Sequence, residues 1–185
     1  MERELVERAR RGDREAYELL ARSSARRLYL VAHRILRDAD AADDAAQQTL
    51  VAIWRELPKL RDPDRFEAWT YRLVVRFSLA EARRRRRFAV TVRDSSPSEP
   101  TSADSSASVA VRDELERAFR RLSPEHRAVV VLHHYVGLPL GEIAEALGVP
   151  YGTVGSRLHY ALRELRAAFG VEDGDPEKAV GGQPA

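Results

Sequence analysis

The chain has no cysteine among its 185 residues, which excludes disulfides and thiolate-bound metal and fits a reducing cytosol. No apolar run approaches the roughly 20 residues of a membrane span. The first thirteen residues, MERELVERARRGD, are too charged for a secretory signal, so the expectation is a cytoplasmic protein without membrane insertion. Lysine is nearly missing. The 31 basic residues include only Lys59 and Lys178, a bias that, with abundant alanine, points to a GC-rich genome. No segment alternates with the period of a strand, and no internal repeat is present. There is no phosphate-binding glycine loop and no nucleophile motif. His133 and His134 are neighbours about 100° apart on a helix, so they cannot face one site as an i, i+4 pair could. Asp38, Asp40, Asp43 and Asp44 lack the mid-loop glycine and terminal glutamate of a calcium loop. These absences leave no catalytic residue, no metal site and no cofactor to assign.

Charge is unevenly spread behind a net of +2. Residues 1–93 carry +7, residues 94–110 carry −3, residues 111–170 carry +1 and residues 171–185 carry −3. A basic front half masked by an acidic connector and tail points to a polyanionic partner. The front half reads as helices with few breakers. Gly12-Asp13 is a stop and a cap, and the helix it opens has Leu28, Val31, Ala32 and Ile35 on its inner side. Asp40 is the candidate cap of the next helix, with Asp43 in its first turn and Ala46, Leu50, Ile53, Trp54 and Leu57 inward. Asp64 is the candidate cap of a helix running to about Arg87, striped by Phe66, Trp69, Leu73, Phe77 and Ala80. Val74 and Val75 widen that stripe, which predicts packing on two sides. Both tryptophans fall on inner stripes and read as core.

Residues 94–108 have no large apolar residue and no base, so they cannot offset their own ordering entropy and read as a flexible linker. A helix follows over Val111–Leu122. Ser123-Pro124-Glu125 is then a strong helix start leading to Val129–Val136, and Gly137 ends that helix. Residues 140–166, LGEIAEALGVPYGTVGSRLHYALRELR, have the form of a helix-turn-helix. Ile143, Ala144 and Leu147 pack one side of a short helix, and Gly148 permits the tight turn. Pro150 pre-sets the start of a second helix whose inner stripe is Val154, Leu158, Ala161, Leu162, Leu165 and Phe169. Gly152, Thr153, Ser156, Tyr160 and Arg163 form the opposite face, with Arg157 and His159 at its margins. A small, polar, cationic face of this kind suits the DNA major groove. The architecture expected is all-α, two helical domains at 1–93 and 111–170 joined by a flexible linker at 94–110, with a disordered acidic tail at 171–185.

Three stretches, in order, resemble the extracytoplasmic-function sigma factors of bacterial RNA polymerase. Asp43-Asp44-Ala45-Ala46-Gln47-Gln48-Thr49 through Trp54 is similar to the family's polymerase-clamp segment. Phe66, then Trp69-Thr70-Tyr71-Arg72-Leu73, then Arg83–Arg87, is similar to its promoter-melting helix. Leu122-Ser123-Pro124-Glu125-His126-Arg127, Glu142-Ile143-Ala144 and Gly152–His159 are similar to its region 4. Together they span most of residues 20–170.

The resemblance implies an alternative sigma factor with no enzymatic activity of its own. Its implied partners are core RNA polymerase, promoter DNA and an anti-sigma factor. It implies a polymerase-binding face at Asp43, Asp44, Gln47, Gln48, Val51 and Arg55, polar and at i, i+4 spacing opposite the core stripe. It implies capture of −10 DNA by Tyr71, Arg72, Arg76, Arg83, Arg84, Arg85, Arg86 and Arg87. Guanidinium groups beside aromatic rings are what a single strand requires, and Tyr71 is the expected stacking ring. It implies −35 DNA contacts at Tyr151, Gly152, Thr153, Ser156, Arg157, His159, Tyr160 and Arg163. Arg76 departs from the asparagine common in relatives, and Gly155, Tyr160 and Gln48 also depart from common residues, so promoter sequence is not carried over. The alternative reading is a stand-alone helix-turn-helix regulator that never engages polymerase, which leaves the Asp43–Arg55 face without a role.

Overall fold

A computed structural model describes residues 2–91 and 107–169. The expected linker beyond 107–110 and the expected acidic tail lie outside the described residues. Eight α-helices and no strand occur among those described. The first half comprises α1 (Glu2–Arg10), α2 (Arg14–Leu36), α3 (Ala39–Glu56) and α4 (Phe66–Thr91). The second comprises α5 (Ala107–Arg121), α6 (Pro124–Val130), α7 (Leu140–Leu147) and α8 (Tyr151–Ala168).

Helix boundaries follow local chemistry. Gly12 takes φ +92° after α1, a conformation costly for residues with a Cβ. Asp13 then caps α2, its Oδ1 accepting the Ala16 N–H at 3.0 Å. The α2 helix ends at Arg37, a non-glycine residue at φ 60° whose N–H donates to the His33 carbonyl at 2.8 Å. Because α2 stops there, the cap of α3 is Asp38 rather than Asp40. Asp38 is extended and its Oδ1 accepts the Ala41 N–H at 2.8 Å, while Asp40 falls in the first turn, where its charge favours the helix dipole. A similar shift precedes α4. Asp62, not Asp64, accepts the Asp64 N–H at 3.0 Å and opens a 3-10 turn, Pro63–Arg65, that leads into α4.

The front-half core is filled by Leu20, Leu28, Val31 and Ile35 of α2, Ala42, Ala45 and Ile53 of α3, and Phe66, Leu73, Val74 and Val75 of α4. Val74 and Val75 are both fully buried because α4 packs on α2 and α3 and also on α7. Ala80, expected in the stripe, is exposed; the burial has rotated toward Ser78, Leu79 and Glu81. The buried hydroxyls of α3 and α4 bond within their own helix, Thr49 to the Ala45 carbonyl at 2.7 Å and Ser78 to the Val74 carbonyl at 2.7 Å, whereas the buried Ser24 hydroxyl of α2 has no partner among the described residues.

In the second half, α5 begins at Ala107, four residues before the expected Val111. Ala107-Ser108-Val109-Ala110 has no glycine or proline to stop the helix from extending backward. Ser123 caps α6, accepting the His126 N–H at 3.2 Å. The chain then winds wider over Val131–Val136 as a π-helical stretch, closed by Gly137 at φ +87°, where an unbroken α-helix was expected. Gly148 makes the helix-turn-helix turn at φ +63°. Phe169, expected on the inner stripe of α8, follows the helix end and is 38% exposed.

The two halves are not separate in their interiors. A small private cluster of the second half holds Leu122, Val130 and Ala161. Ala128, Val129, Val131, Leu132, Ile143 and Val154 instead join the core of the first half. Polar contacts pin the junction. Arg127, 8% exposed, donates from Nε to the Ile35 carbonyl at 2.6 Å and from Nη1 to the Arg120 carbonyl at 3.3 Å. Burial, then the like charge of Arg37, pulls this guanidinium down to about 10, so it remains charged at neutral pH. Arg37 pairs with Glu116 of α5, and Arg34 lies 3.8 Å from the ring centre of Tyr135.

Replacing Arg127 with methionine keeps the apolar stem but leaves the two carbonyls without their charged donor. Stability should drop by roughly 2–3 kcal/mol, a fall of about 5–10 °C in Tm for a chain of this size, read by calorimetry. A pH dependence follows from His126. Its imidazole is held below its ordinary value by burial, then by Arg157, and its Nδ1 lies 2.9 Å from the Ser123 hydroxyl. A neutral ring with Nδ1 unprotonated accepts a hydrogen bond from that hydroxyl, which the imidazolium cannot do. Folding therefore favours the neutral form. The stabilisation is full above about pH 6.5 and is lost as pH falls through the lowered folded value. His126→Gln supplies the capping-box partner without a titrating ring. It should lessen the loss of Tm between pH 7 and pH 5, with the residual slope carried partly by His33, which burial also lowers.

Candidate nucleic-acid and polymerase-binding surfaces

The α3 helix divides cleanly by side. Ala42, Ala45, Ala46, Thr49, Ala52 and Ile53 are buried, whereas Asp43, Asp44, Gln47, Gln48, Val51 and Arg55 are all exposed. The small buried residues draw α3 close to α2 and α4, which leaves the larger polar side facing outward. Val51 is 53% exposed, a branched apolar side chain amid polar ones. A shallow groove of about 410 Å³ runs along Asp44, Gln47, Gln48, Val51, Arg55 and Phe77. Trp54, expected in the core, joins this outer surface instead at 40% exposure. Its ring meets Tyr17 edge-on with centroids 4.6 Å apart, and the Tyr17 hydroxyl donates to the Leu50 carbonyl at 2.7 Å. Helical periodicity put Trp54 on the inner stripe; the structure turns it outward, where Tyr17 from another helix meets its ring.

The α4 surface differs more from expectation. Tyr71, the expected stacking ring, is 5% exposed. Its hydroxyl donates to Glu67 Oε1 at 3.1 Å, Arg27 sits 5.3 Å from its ring centre, and burial pushes the phenol up to about 12. Arg72 is half-buried and Arg76 exposed; Arg76 reaches Glu56 at 3.3 Å and lies over Phe77 at 4.9 Å. Trp69 is half-buried against Phe66, consistent with its core assignment.

The five arginines from Arg83 to Arg87 are exposed but not equivalent. Glu81, 4% exposed, accepts two bonds from Arg84 at 2.8 Å and one from Arg85 at 3.1 Å. These bonds, Arg84's foremost, hold its carboxyl below the usual range. Arg85 also reaches Asp38 at 2.5 Å and Arg84 approaches Asp44 at 4.0 Å. Two of the run thus brace α4 against the start of α3, a role that charge counting could not separate from DNA binding.

On α8, Tyr151, Gly152, Ser156, His159, Tyr160 and Arg163 are exposed, and Thr153 and Arg157 are partly so. Val154 and Ala161 anchor the opposite side. Tyr160 stacks on His126 at 4.6 Å, and Arg163 lies 5.4 Å from its ring centre. The surface is therefore keyed to α6 through an aromatic pair. A Cβ at Gly152 or Gly155 would meet nothing within 4 Å, so no contact within the chain requires either glycine.

The remaining polar candidates do not converge. His133 Nδ1 lies 3.1 Å from the Leu138 carbonyl, and Asp38 is spent on its cap and on Arg85. Among the described residues, no helix is long and apolar enough to cross a membrane.

Family models divide the chain as the helices do. Residues 20–88 match Sigma-70 region 2 and residues 112–165 match Sigma-70 region 4. The chain is 36% identical over 143 residues to the ECF RNA polymerase sigma factor SigL of Mycobacterium tuberculosis, covering 75% of this chain and 80% of that protein. It is 32% identical to the ECF RNA polymerase sigma factor SigE of Mycolicibacterium smegmatis, covering 84% of this chain and 63% of that longer protein. CnrH, solved in complex with the cytosolic domain of CnrY, aligns with a TM-score of 0.62 at 27% identity, over 92% of this chain and 98% of that one. With both conserved regions in order and relatives of this identity, the chain belongs to the extracytoplasmic-function sigma factors of RNA polymerase.

Proposed function

We propose that this protein is an alternative sigma factor that brings core RNA polymerase to a specific set of promoters. Residues 1–93 act as the polymerase-binding and −10 unit, 94–110 as the connector and 111–170 as the −35 unit. The tail, 171–185, has no assigned part. The observation that carries this reading is the outer side of α3. Six side chains from Asp43 to Arg55, with Trp54 beside them, point outward from a helix whose other side is filled. A regulator that only bound DNA through α8 would have no use for it. The chain itself makes and breaks no covalent bond; it positions the polymerase and holds the opened strand. It works in the cytoplasm, where polymerase and promoter are, and family membership implies an anti-sigma factor as a further partner.

The α8 surface supports the −35 role, since its outward residues are small, polar or cationic and its N-terminal turn is unobstructed. Exposed Arg83 and Arg86 support sequence-independent attraction to phosphates, and Arg72 and Arg76 lie farther back along the same helix.

Trp54→Ala and the double change Asp43→Lys/Gln47→Lys should each cut affinity for core polymerase, the first by about thirtyfold as for an aromatic anchor. Neither should alter binding to −35 duplex. Competition against a primary sigma factor reads the first quantity and fluorescence anisotropy the second. Unchanged polymerase binding in both variants would remove the α3 assignment. Among the arginines, Arg83→Ala and Arg86→Ala should each lower the salt slope of holoenzyme binding to single-stranded −10 DNA by about 0.7. Arg85→Ala should instead lower Tm, because it removes the tie to Asp38 and Glu81.

A further inference from the structure

The outer side of α8 is uneven in size. Gly152, Gly155 and Ser156 lie in its first two turns, and a Cβ at either glycine would meet nothing within 4 Å. A helix this lean can bring its backbone near base edges, but it offers them few groups of its own. The next position on the i, i+4 row from Gly152 and Ser156 is Tyr160, a large side chain that is 41% exposed.

Tyr160 is also held in place. His126, half-buried on α6, stacks on its ring with centroids 4.6 Å apart and planes 27° apart. His126 is itself fixed at the cap of α6. Its backbone N–H donates to the Ser123 hydroxyl at 3.2 Å, and its Nδ1 lies 2.9 Å from the same oxygen. Arg163, on the next turn of α8, lies 5.4 Å from the Tyr160 ring centre. An exposed side chain loses rotational freedom when it binds, and that cost weakens the contact. The His126 stack removes the cost in advance.

The chemistry of the ring narrows what it can read. A phenol brings neither the positive charge that answers a phosphate nor the forked donor pair that suits guanine. It brings a flat apolar surface. In the major groove the apolar feature of a base pair is the thymine 5-methyl group.

We propose that Tyr160 reads a thymine methyl in the −35 duplex and that His126 is the positioning residue that holds its ring for that contact. This rests on the assignment of α8 to −35 DNA made above. Arg157 and Arg163 supply attraction to the phosphates, and the ring supplies selectivity. His126 acts on the duplex only through that ring.

The test uses the full chain assembled with core polymerase. The holoenzyme selects duplexes from a pool with a randomised −35 segment. Each thymine of the recovered segment is then replaced in turn by deoxyuridine, which lacks only the methyl group. One replacement should weaken binding about fourfold, the value of a single methyl group taken from water. Tyr160→Ala should abolish that difference, and Tyr160→Phe, which retains the ring, should keep it. His126→Gln retains a partner for the Ser123 cap but loses the stacking ring, so the ratio should fall below about twofold. His126→Tyr should restore it. Each ratio compares two duplexes on one protein, so it does not depend on how much of that protein is folded. A recovered site with no uracil-sensitive thymine, or a sensitivity that survives Tyr160→Ala, would overturn the proposal. An unchanged ratio in His126→Gln would overturn the positioning role. If Tyr160→Ala and Arg157→Ala both leave duplex binding unchanged, the −35 assignment of α8 itself falls.

Discussion

One buried guanidinium organises the junction on which the rest of the molecule depends. Arg127 comes from the short α6 helix, yet its Nε donates to the carbonyl of Ile35, near the end of α2 and 92 residues away in sequence. The last carbonyls of a helix lack intrahelical donors and carry the negative end of its dipole. A cation placed there answers both needs. The α2 helix ends sharply because Arg37 turns left-handed, and that turn sends the Arg37 side chain toward Glu116 rather than back along α2. One helix terminus thus supplies an acceptor and a cation to the second half of the chain. A charge buried this deeply is costly unless its donors are used, so the junction has one well-defined geometry rather than a sliding contact.

The same economy governs the surfaces. Alanine-rich packing on the inner side of α3 lets three helices approach closely, and it is this approach that turns every larger polar residue of α3 outward. In α4 the opposite pressure applies. Core on one side and α7 on the other bury Val74 and Val75, and Arg27 of α2 lies over the buried Tyr71, so a helix expected to present an aromatic ring to DNA keeps that ring covered. Glu81 explains why α4 can carry a run of arginines near its end and continue to Thr91. A buried carboxylate gathers Arg84 and Arg85, and Asp38 takes the second of these across to α3. The cap of one helix therefore fixes the far end of another.

What could be read from the sequence was local. Asp13, Ser123, Gly137 and Gly148 punctuate their helices by backbone chemistry that acts over a few residues, and each sits where its chemistry predicts. The outer side of α3 was legible for the same reason, since helical periodicity alone separates Asp43, Gln47, Val51 and Arg55 from the alanines. Asp40 and Asp64 missed by two residues because several aspartates compete at each connector, and the choice depends on where the preceding element stops. Trp54 and Tyr71 were misplaced because partners from another helix decide each outcome, Tyr17 beside Trp54 and Arg27 over Tyr71. The junction itself left no trace in the pattern. Its central bond joins a side chain to a backbone carbonyl, and a backbone carbonyl has no letter in the sequence.

The thinness of the second half's own interior gives the junction its consequence. With Leu122, Val130 and Ala161 as its private cluster, that half completes its core by borrowing from the first. Val129, Leu132 and Ile143 are buried in the shared interior, and separating the halves exposes apolar surface as well as the Arg127 bond. Separating the halves would therefore cost free energy, and a ligand could shift that equilibrium only by binding one state better than the other. The shared interior thus makes α7 and α8 dependent on α2 and α4 for stability.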